Sequence, residues 1–449
     1  MTTLHFAEAM LPDGWAHDVR VTIADGAILS VQCGIAAAPD DEHHAIALPG
    51  MPNLHSHAFQ RGMAGLAEVA GPGDDSFWTW REVMYRFATR VSPDDLLSIA
   101  AMAYVEMLEA GFTRVGEFHY LHHAPGGAPY ANRSAMSAAI VAAAAETGIA
   151  LTHLPVFYAH GGFGGAALSE RQARFAHDLD GFALLLDGAR AACAALPDAV
   201  VGIAPHSLRA VTPEELAALE TLAPEAPIHI HIAEQMREVE DCLAWSGARP
   251  VEWLLDHAAV DARWCLVHAT HMTAMETARL ARSGAVAGLC PITEANLGDG
   301  IFPAVDFRAA GGRFGVGSDS NVLIDAAEEL RLLEYGQRLE RRARNLLGGG
   351  GSSGDTLWRA AVDGGARALG VASGITAGNA ADIVSLDRDH PALVARGGAA
   401  LTDALVFASA RGVVDCVWRR GVKRVTGGRH VARGAVARRY ADCLGGLLA

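Results

Sequence analysis

Through the middle of the chain, short apolar runs alternate with longer stretches rich in alanine and leucine. Eight such runs stand out: IALPGMPNLHSH, FTRVGEFHY, IALTHLPVFY, VVGIAPHSL, PIHIHIAEQ, WCLVHAT, VAGLCPI and RFGVGSDS. Short apolar strands separated by helical stretches make parallel βα units rather than a sandwich. Eight successive parallel strands close naturally into a (β/α)8 TIM-type barrel, with an open doubly wound sheet as the alternative. The chain ends have another texture. VRVTIADGAILSV, Val19 to Val31, places β-branched residues on both sides of an Asp25-Gly26 turn, a hairpin signal. Near the C-terminus ADIVSLD, ALVFASA and VVDCVWRRGVKRV read as further short strands. The two ends therefore predict one small β-sandwich domain, residues 1–48 and 377–449, beside a barrel over 49–376. Two unrelated β extensions are the alternative.

Two glycine-rich stretches invite a nucleotide-binding reading, and neither supports it. No GxGxxG follows the first strand and opens a helix. GGGGSSG, Gly348 to Gly354, follows a charged helix candidate from Asp325 to Leu347 and lacks the lysine of a phosphate loop, so it reads as a flexible surface loop. The segment Gly71 to Arg90 is rich in Trp and Phe and suggests a loop that closes over a substrate.

A composition of 51% hydrophobic and 19% charged residues with 49 glycines suits a compact α/β protein. The net charge of −15 argues against nucleic acid and anionic membrane surfaces as partners. The one basic cluster, Arg341, Arg342 and Arg344, reads as a solvated helix face. Seven scattered cysteines without a CxxC pair suit a reducing compartment. No basic segment followed by an apolar run begins the sequence, and the alanine-rich run Ser134 to Leu154 is broken by Glu146, Thr147 and His153. These features predict a soluble cytoplasmic protein.

The candidate chemistry sits at the ends of the apolar runs. His55 and His57 lie two apart, so strand alternation points both imidazoles the same way. His231 ends the fifth run and Asp319 the eighth. In a barrel these four side chains converge on one face, where a single divalent ion could be held. Three nitrogens and one carboxylate suit zinc first, and also iron or manganese. A two-metal version would want a carboxylated lysine inside the barrel, but the only lysine, Lys423, falls in the terminal β region. One ion is therefore expected, unless a glutamate bridges a second instead. Such an ion lowers the pKa of its water to about 7, which then requires proton transfer. Glu234, three residues beyond His231, and His268, ending the sixth run, are the candidates. His229 receives no role, and His119, His122, His123, His160 and His271 read as supporting or surface groups.

At these positions the sequence resembles the amidohydrolase superfamily in its cytosine and guanine deaminase-like branch, over nearly the whole chain. More narrowly, PNLHSHAFQRGMAG, FWTWREVMYRF, GEFHYLHH, HIAEQ, LVHATHM, LCPITEANLGDGIFPA and GVGSDSN resemble the formimidoylglutamate deiminases. The resemblance implies hydrolysis of a small anionic amidine, N-formimidoyl-L-glutamate, to N-formyl-L-glutamate and ammonia. It implies that Gln60, Arg81, Tyr120, His206 and Arg209 bind the substrate, its two carboxylates needing cationic and hydrogen-bonding partners. It further implies that Asp319 or His268 takes the proton of the attacking water, that Glu234 serves the imino nitrogen, and that the protein is a homodimer. A deaminase of a purine, pyrimidine or triazine ring, and a catalytically silent binding relative, are the competing readings.

Overall fold

The computed structural model describes residues 1–449 except Pro72, Asp74 and Arg411. Each of the eight apolar runs contains strand: β1 (Met51–Ser56), β2 (Phe112–His119), β3 (Ala150–Phe157), β4 (Val200–Val201 resuming at Ala204–Pro205), β5 (Ile228–Ile232), β6 (Trp264–His268), β7 (Val286–Leu289) and β8 (Arg313–Val316). Residues of β2, β3, β5, β6 and β7 are buried along their whole length, which is why these runs are continuously apolar instead of alternating. β1 to β4 form one parallel sheet and β5 to β8 another. Parallel bridges Ile203 to Ile228 and Ser207 to His231 join β4 to β5, and Ser56 to Asp319 joins the end of β1 to the residues after β8. The fold is thus α/β with parallel sheets, and pairing contacts pass from each strand to the next.

Helices cover the strands, several of them starting at a side-chain cap. Ser92 and Thr273 close capping boxes at Pro93–Glu109 and Ala274–Ser283, and Asp325 accepts from two amides at Ala326–Arg341. Gly315 and Gly317 permit close approach between β8 and β1. A Cβ on Gly317 would stand 2.7 Å from the backbone N and O of His55.

The chain ends form one continuous eight-stranded sheet, in the order 429–430, 422–426, 414–419, 383–386, 42–49, 2–11, 14–24, 27–32. In its hydrogen bonding the expected sandwich is a single sheet. The pair joining the two ends is antiparallel, Ile383–Leu386 against Glu42–Pro49. Leu4, Phe6, Val19, Val21, Ile383 and Trp418 fill one apolar cluster against it. Lys423 lies here, ion-paired with Glu42.

Three local expectations fail. ALVFASA is not a strand: its first four residues end the helix Ala399–Phe407, whose Leu401 and Leu405 are one turn apart and buried. GGGGSSG is only partly loop, because Ser353 and Gly354 are buried in the first turn of the helix Ser353–Ala368. The segment expected as a closing loop is helical from Phe77 to Ala88, capped by Ser76; its Pro72 and Asp74 lie outside the described residues. All seven cysteines are free. No helix among the described residues is long and apolar enough to cross a membrane.

Candidate metal centre and active site

The C-terminal ends of the strands gather the charged and polar groups. Backbone pairing fixes the first of them: His57 N donates to Asp319 O at 2.9 Å, and Asp319 N donates to His55 O at 3.0 Å. The turns that follow the strands are sharp. Ala233, His268, Ala269, Asp319 and Asn321 all have φ between 43° and 67°, a region L-residues seldom occupy.

His55, His57, His231 and Asp319 each offer a ligand atom within 4.8 Å of the others, and all four side chains are buried. His55 Nε2 stands 3.2 Å from His57 Nε2, 3.1 Å from His231 Nε2 and 3.3 Å from Asp319 Oδ1. His57 Nε2 is 3.2 Å from the same Oδ1. The other ring nitrogens decide the tautomers. His57 Nδ1 meets the Phe118 carbonyl at 2.9 Å and His231 Nδ1 meets the His206 carbonyl at 3.1 Å. A carbonyl only accepts, so both Nδ1 atoms carry the proton and both Nε2 atoms present lone pairs inward. Protonation does not relieve this crowding: burial holds His55 down to about 3 and His231 well below the usual imidazole range. Converging lone pairs and a carboxylate fit a divalent cation. Asn321 braces the group, its Nδ2 donating to Ser56 Oγ, His57 O and Asp319 O at 3.1 Å each.

His268 stands beside this cluster among three carboxylates. Its Nδ1 is 3.2 Å from Glu294 Oε1, and its Nε2 is 3.8 Å from both Glu234 Oε1 and Asp319 Oδ2. Burial alone would depress its pKa, but Glu234, Glu294 and Asp319 together raise it well above the ordinary value. Burial raises the Glu234 carboxyl against the pull of His268. Asp299, nearby, is pushed up to about 9 by burial and by Glu234.

A cleft with about 560 Å³ of empty space opens over these groups. Its wall includes all five candidate substrate residues: Gln60, Arg81, Tyr120, His206 and Arg209. Gln60 Nε2 donates to Tyr120 Oη at 2.8 Å, which leaves Gln60 Oε1 buried without a partner. Burial and the Arg209 charge hold His206 well below its ordinary pKa, so it is neutral. Arg209 is half-buried, and its Nε is buried without an acceptor. Among the described residues neither Arg81 nor Arg209 has a carboxylate within 4 Å. The Arg81 guanidinium instead rests on aromatic rings, 4.9 Å from the Trp78 centroid and 5.3 Å from that of Tyr85.

Every residue given a ligand, proton-transfer or substrate role from the sequence lines this cleft except His55, whose Nε2 lies against those of His57 and His231. His229 is buried away from it, bonded to the Ala368 carbonyl. Sequence reasoning missed Glu294, Asn321 and Tyr158. Tyr158 was within reach, since it ends the third apolar run; Glu294 sits in the short helix Pro291–Leu297 and Asn321 in the turn after β8, both too short to show a periodic pattern.

The amidohydrolase family profile matches residues 46–424, and the profile described as formimidoylglutamate deiminase HutF, N-terminal domain, matches residues 1–45. A formimidoylglutamate deiminase of Pseudomonas aeruginosa is 50% identical over 453 residues, covering 100% of both chains. The crystal structure of an amidohydrolase from Brucella melitensis superposes with a TM-score of 0.98 at 56% identity, covering 100% of both chains. An adenosine deaminase from Xanthomonas campestris with bound zinc shares the fold, with a TM-score of 0.82 at 22% identity over 100% of this chain and 98% of its own.

Proposed function

The chain belongs to the amidohydrolase family and, within it, to the formimidoylglutamate deiminases, and from that premise we propose that it hydrolyses N-formimidoyl-L-glutamate to N-formyl-L-glutamate and ammonia. One observation carries the choice of substrate. Arg81 and Arg209, which have no carboxylate within 4 Å among the described residues, share a cleft with a His3Asp ligand cluster. A buried Nε without an acceptor, as in the half-buried Arg209, is costly, and a substrate carboxylate removes that cost.

We propose that His55, His57, His231 and Asp319 hold one divalent ion, zinc by preference. When bound, such an ion supplies Lewis acidity and water activated near neutral pH. The protein groups do the rest. Arg209 and Arg81 hold the two carboxylates, Tyr120 donates its hydroxyl to one of them, and Gln60 Oε1 accepts from the substrate N–H. This fixes the formimidoyl carbon over the ligand cluster. Asp319 Oδ2, 3.8 Å from His268 Nε2, takes up the proton released as water adds to that carbon, with the protonated His268 beside it as a donor. Glu234 Oε1, also 3.8 Å from His268 Nε2, meets the imino nitrogen and delivers the proton with which ammonia departs. The carbon–nitrogen bond to the terminal nitrogen breaks, and the glutamate nitrogen keeps the formyl group.

The same reading takes the parallel units as a closed (β/α)8 barrel over 49–376 and the terminal sheet, 1–48 with 377–449, as the small β domain. It also takes the protein as a cytoplasmic homodimer, which sedimentation would test. The substrate assignment is tested by following 13C-labelled formimidoylglutamate by NMR beside guanine and 5-methylthioadenosine. Selective conversion to the formyl product supports it. Turnover of a ring substrate alone would replace it with the ring deaminase reading.

A further inference from the structure

Arg81 and Arg209 line more than the inner cleft. Both also face an outer cleft with about 870 Å³ of empty space, between Trp78 on the helix Phe77–Ala88, the loop Gly161–Phe163 and the helix Met236–Ser246. A third guanidinium stands there. Arg237 lies 4.7 Å from the centroid of the Trp78 indole, the same ring against which Arg81 rests. Among the described residues its one carboxylate within 4 Å is that of Asp241, 3.7 Å away, with side chains 64% and 55% exposed, a solvent-screened pair of little strength. Three cations thus face one carboxylate at the mouth of a protein whose net charge is −15.

We infer that the outer cleft is a capture subsite for dicarboxylates, in which Arg237, held on Trp78, draws the substrate toward Arg81 and Arg209; this rests on the substrate carrying two carboxylates. A negatively charged protein repels a net anion at long range, so its approach depends on a local field of opposite sign, and a cleft with low-dielectric walls focuses such a field. The indole supports this: cation–π contact favours a guanidinium over the ring, and Trp78 holds Arg237 at the cleft even as it pairs loosely with Asp241. Two arginines on one ring also link the helix carrying Arg81 to the one carrying Arg237, so the captured anion has a continuous path from outer to inner cation. Arg237 touches no reacting atom in this account. It determines which charge type enters.

The test uses the full-length, metal-loaded protein with Arg237→Ala, Arg237→Glu and Arg237→Lys. Ammonia release from N-formimidoyl-L-glutamate is followed from 10 mM to 500 mM ionic strength. At low salt Arg237→Ala should lower kcat/KM about 3- to 10-fold, Arg237→Glu more, and Arg237→Lys should restore most of it. The loss should fall in kcat/KM rather than kcat and fade as the Debye length shrinks to a few ångströms. N-formimidoylglycine, with one carboxylate, should show a smaller penalty. Equal kcat/KM for wild type and Arg237→Glu at every salt concentration would overturn the subsite. Glutarate gives a readout without turnover, since its protection against thermal unfolding at low salt should weaken in Arg237→Ala. Wild-type protein that turns over no formimidoyl amino acid, yet shows that glutarate difference, would refute the substrate and keep the subsite. Identical protection in both proteins would refute the subsite alone.

Discussion

Truncating Arg209 to alanine removes the cation on which the substrate assignment depends most. The side chain is half-buried, its Nε is buried without an acceptor, and its charge is balanced only at a distance by Glu238 and Glu234. A carboxylate that reaches it therefore forms a desolvated, charge-assisted pair. Removing one partner of such a pair costs about 2–5 kcal/mol, which is about 30- to 5,000-fold in kcat/KM. The carboxylate is remote from the formimidoyl carbon and is held alike before and during the reaction. The loss should therefore appear mainly as a raised KM, with a smaller fall in kcat from poorer orientation. Arg209→Lys keeps the charge but not the planar fork, so it should fall between alanine and wild type. A coupled assay of ammonia release, with KM and kcat resolved separately and metal content measured on each variant, reads these effects. A kcat/KM within 3-fold of wild type at full metal content would refute the assignment, as would a loss confined to kcat.

Three further outcomes follow from the same geometry. Glu234→Gln should retain its metal and its KM while kcat falls about 10²- to 10⁴-fold, because the amide cannot exchange the proton; single-turnover kinetics would check this. Asn321→Ala removes the donor to Ser56, His57 and Asp319 and should weaken metal binding about 10- to 100-fold in competition with a chelator, and unchanged affinity would contradict the bracing role. His153, His177 and His229 lie away from the ligand cluster and are held by burial down to about 3, about 4 and about 4. Their unfolded value near 6.5 is higher, so the unfolded chain takes up protons first as pH falls. The stability they confer is complete above pH about 6.5 and is lost toward pH 4, at up to about 1.4 kcal/mol per pH unit for each group. Urea midpoints of metal-free protein at pH 7.5 and 5 should drop accordingly, and His229→Gln should flatten the slope.

What the sequence revealed followed from the physics of each element. Parallel strands buried on both faces announce themselves as apolar runs, and polar residues at their ends stand out because the runs stop there. His55 and His231 hold the same penultimate position in β1 and β5, which is why both reach the cluster; His229, two residues deeper, bonds to the Ala368 carbonyl instead. The terminal sheet was legible as texture but not as topology, since its order depends on Ile383–Leu386 pairing with Glu42–Pro49 from the far end of the chain. ALVFASA misled because β-rich composition hid the one-turn spacing of Leu401 and Leu405. Glu294 lies in a helix of seven residues and Asn321 in a turn, segments too short to leave a periodic trace, and only the folded chain reveals their contacts with His268 and Asp319.

The central claim is that this chain uses one divalent ion, held by His55, His57, His231 and Asp319, to deiminate formimidoylglutamate. The most direct measurement strips the purified protein of metal, restores zinc in steps and follows ammonia release from N-formimidoyl-L-glutamate. Activity should be absent without metal, rise in proportion and reach a plateau at one equivalent per chain. Release that persists in the stripped protein, or that requires two equivalents, would contradict the account.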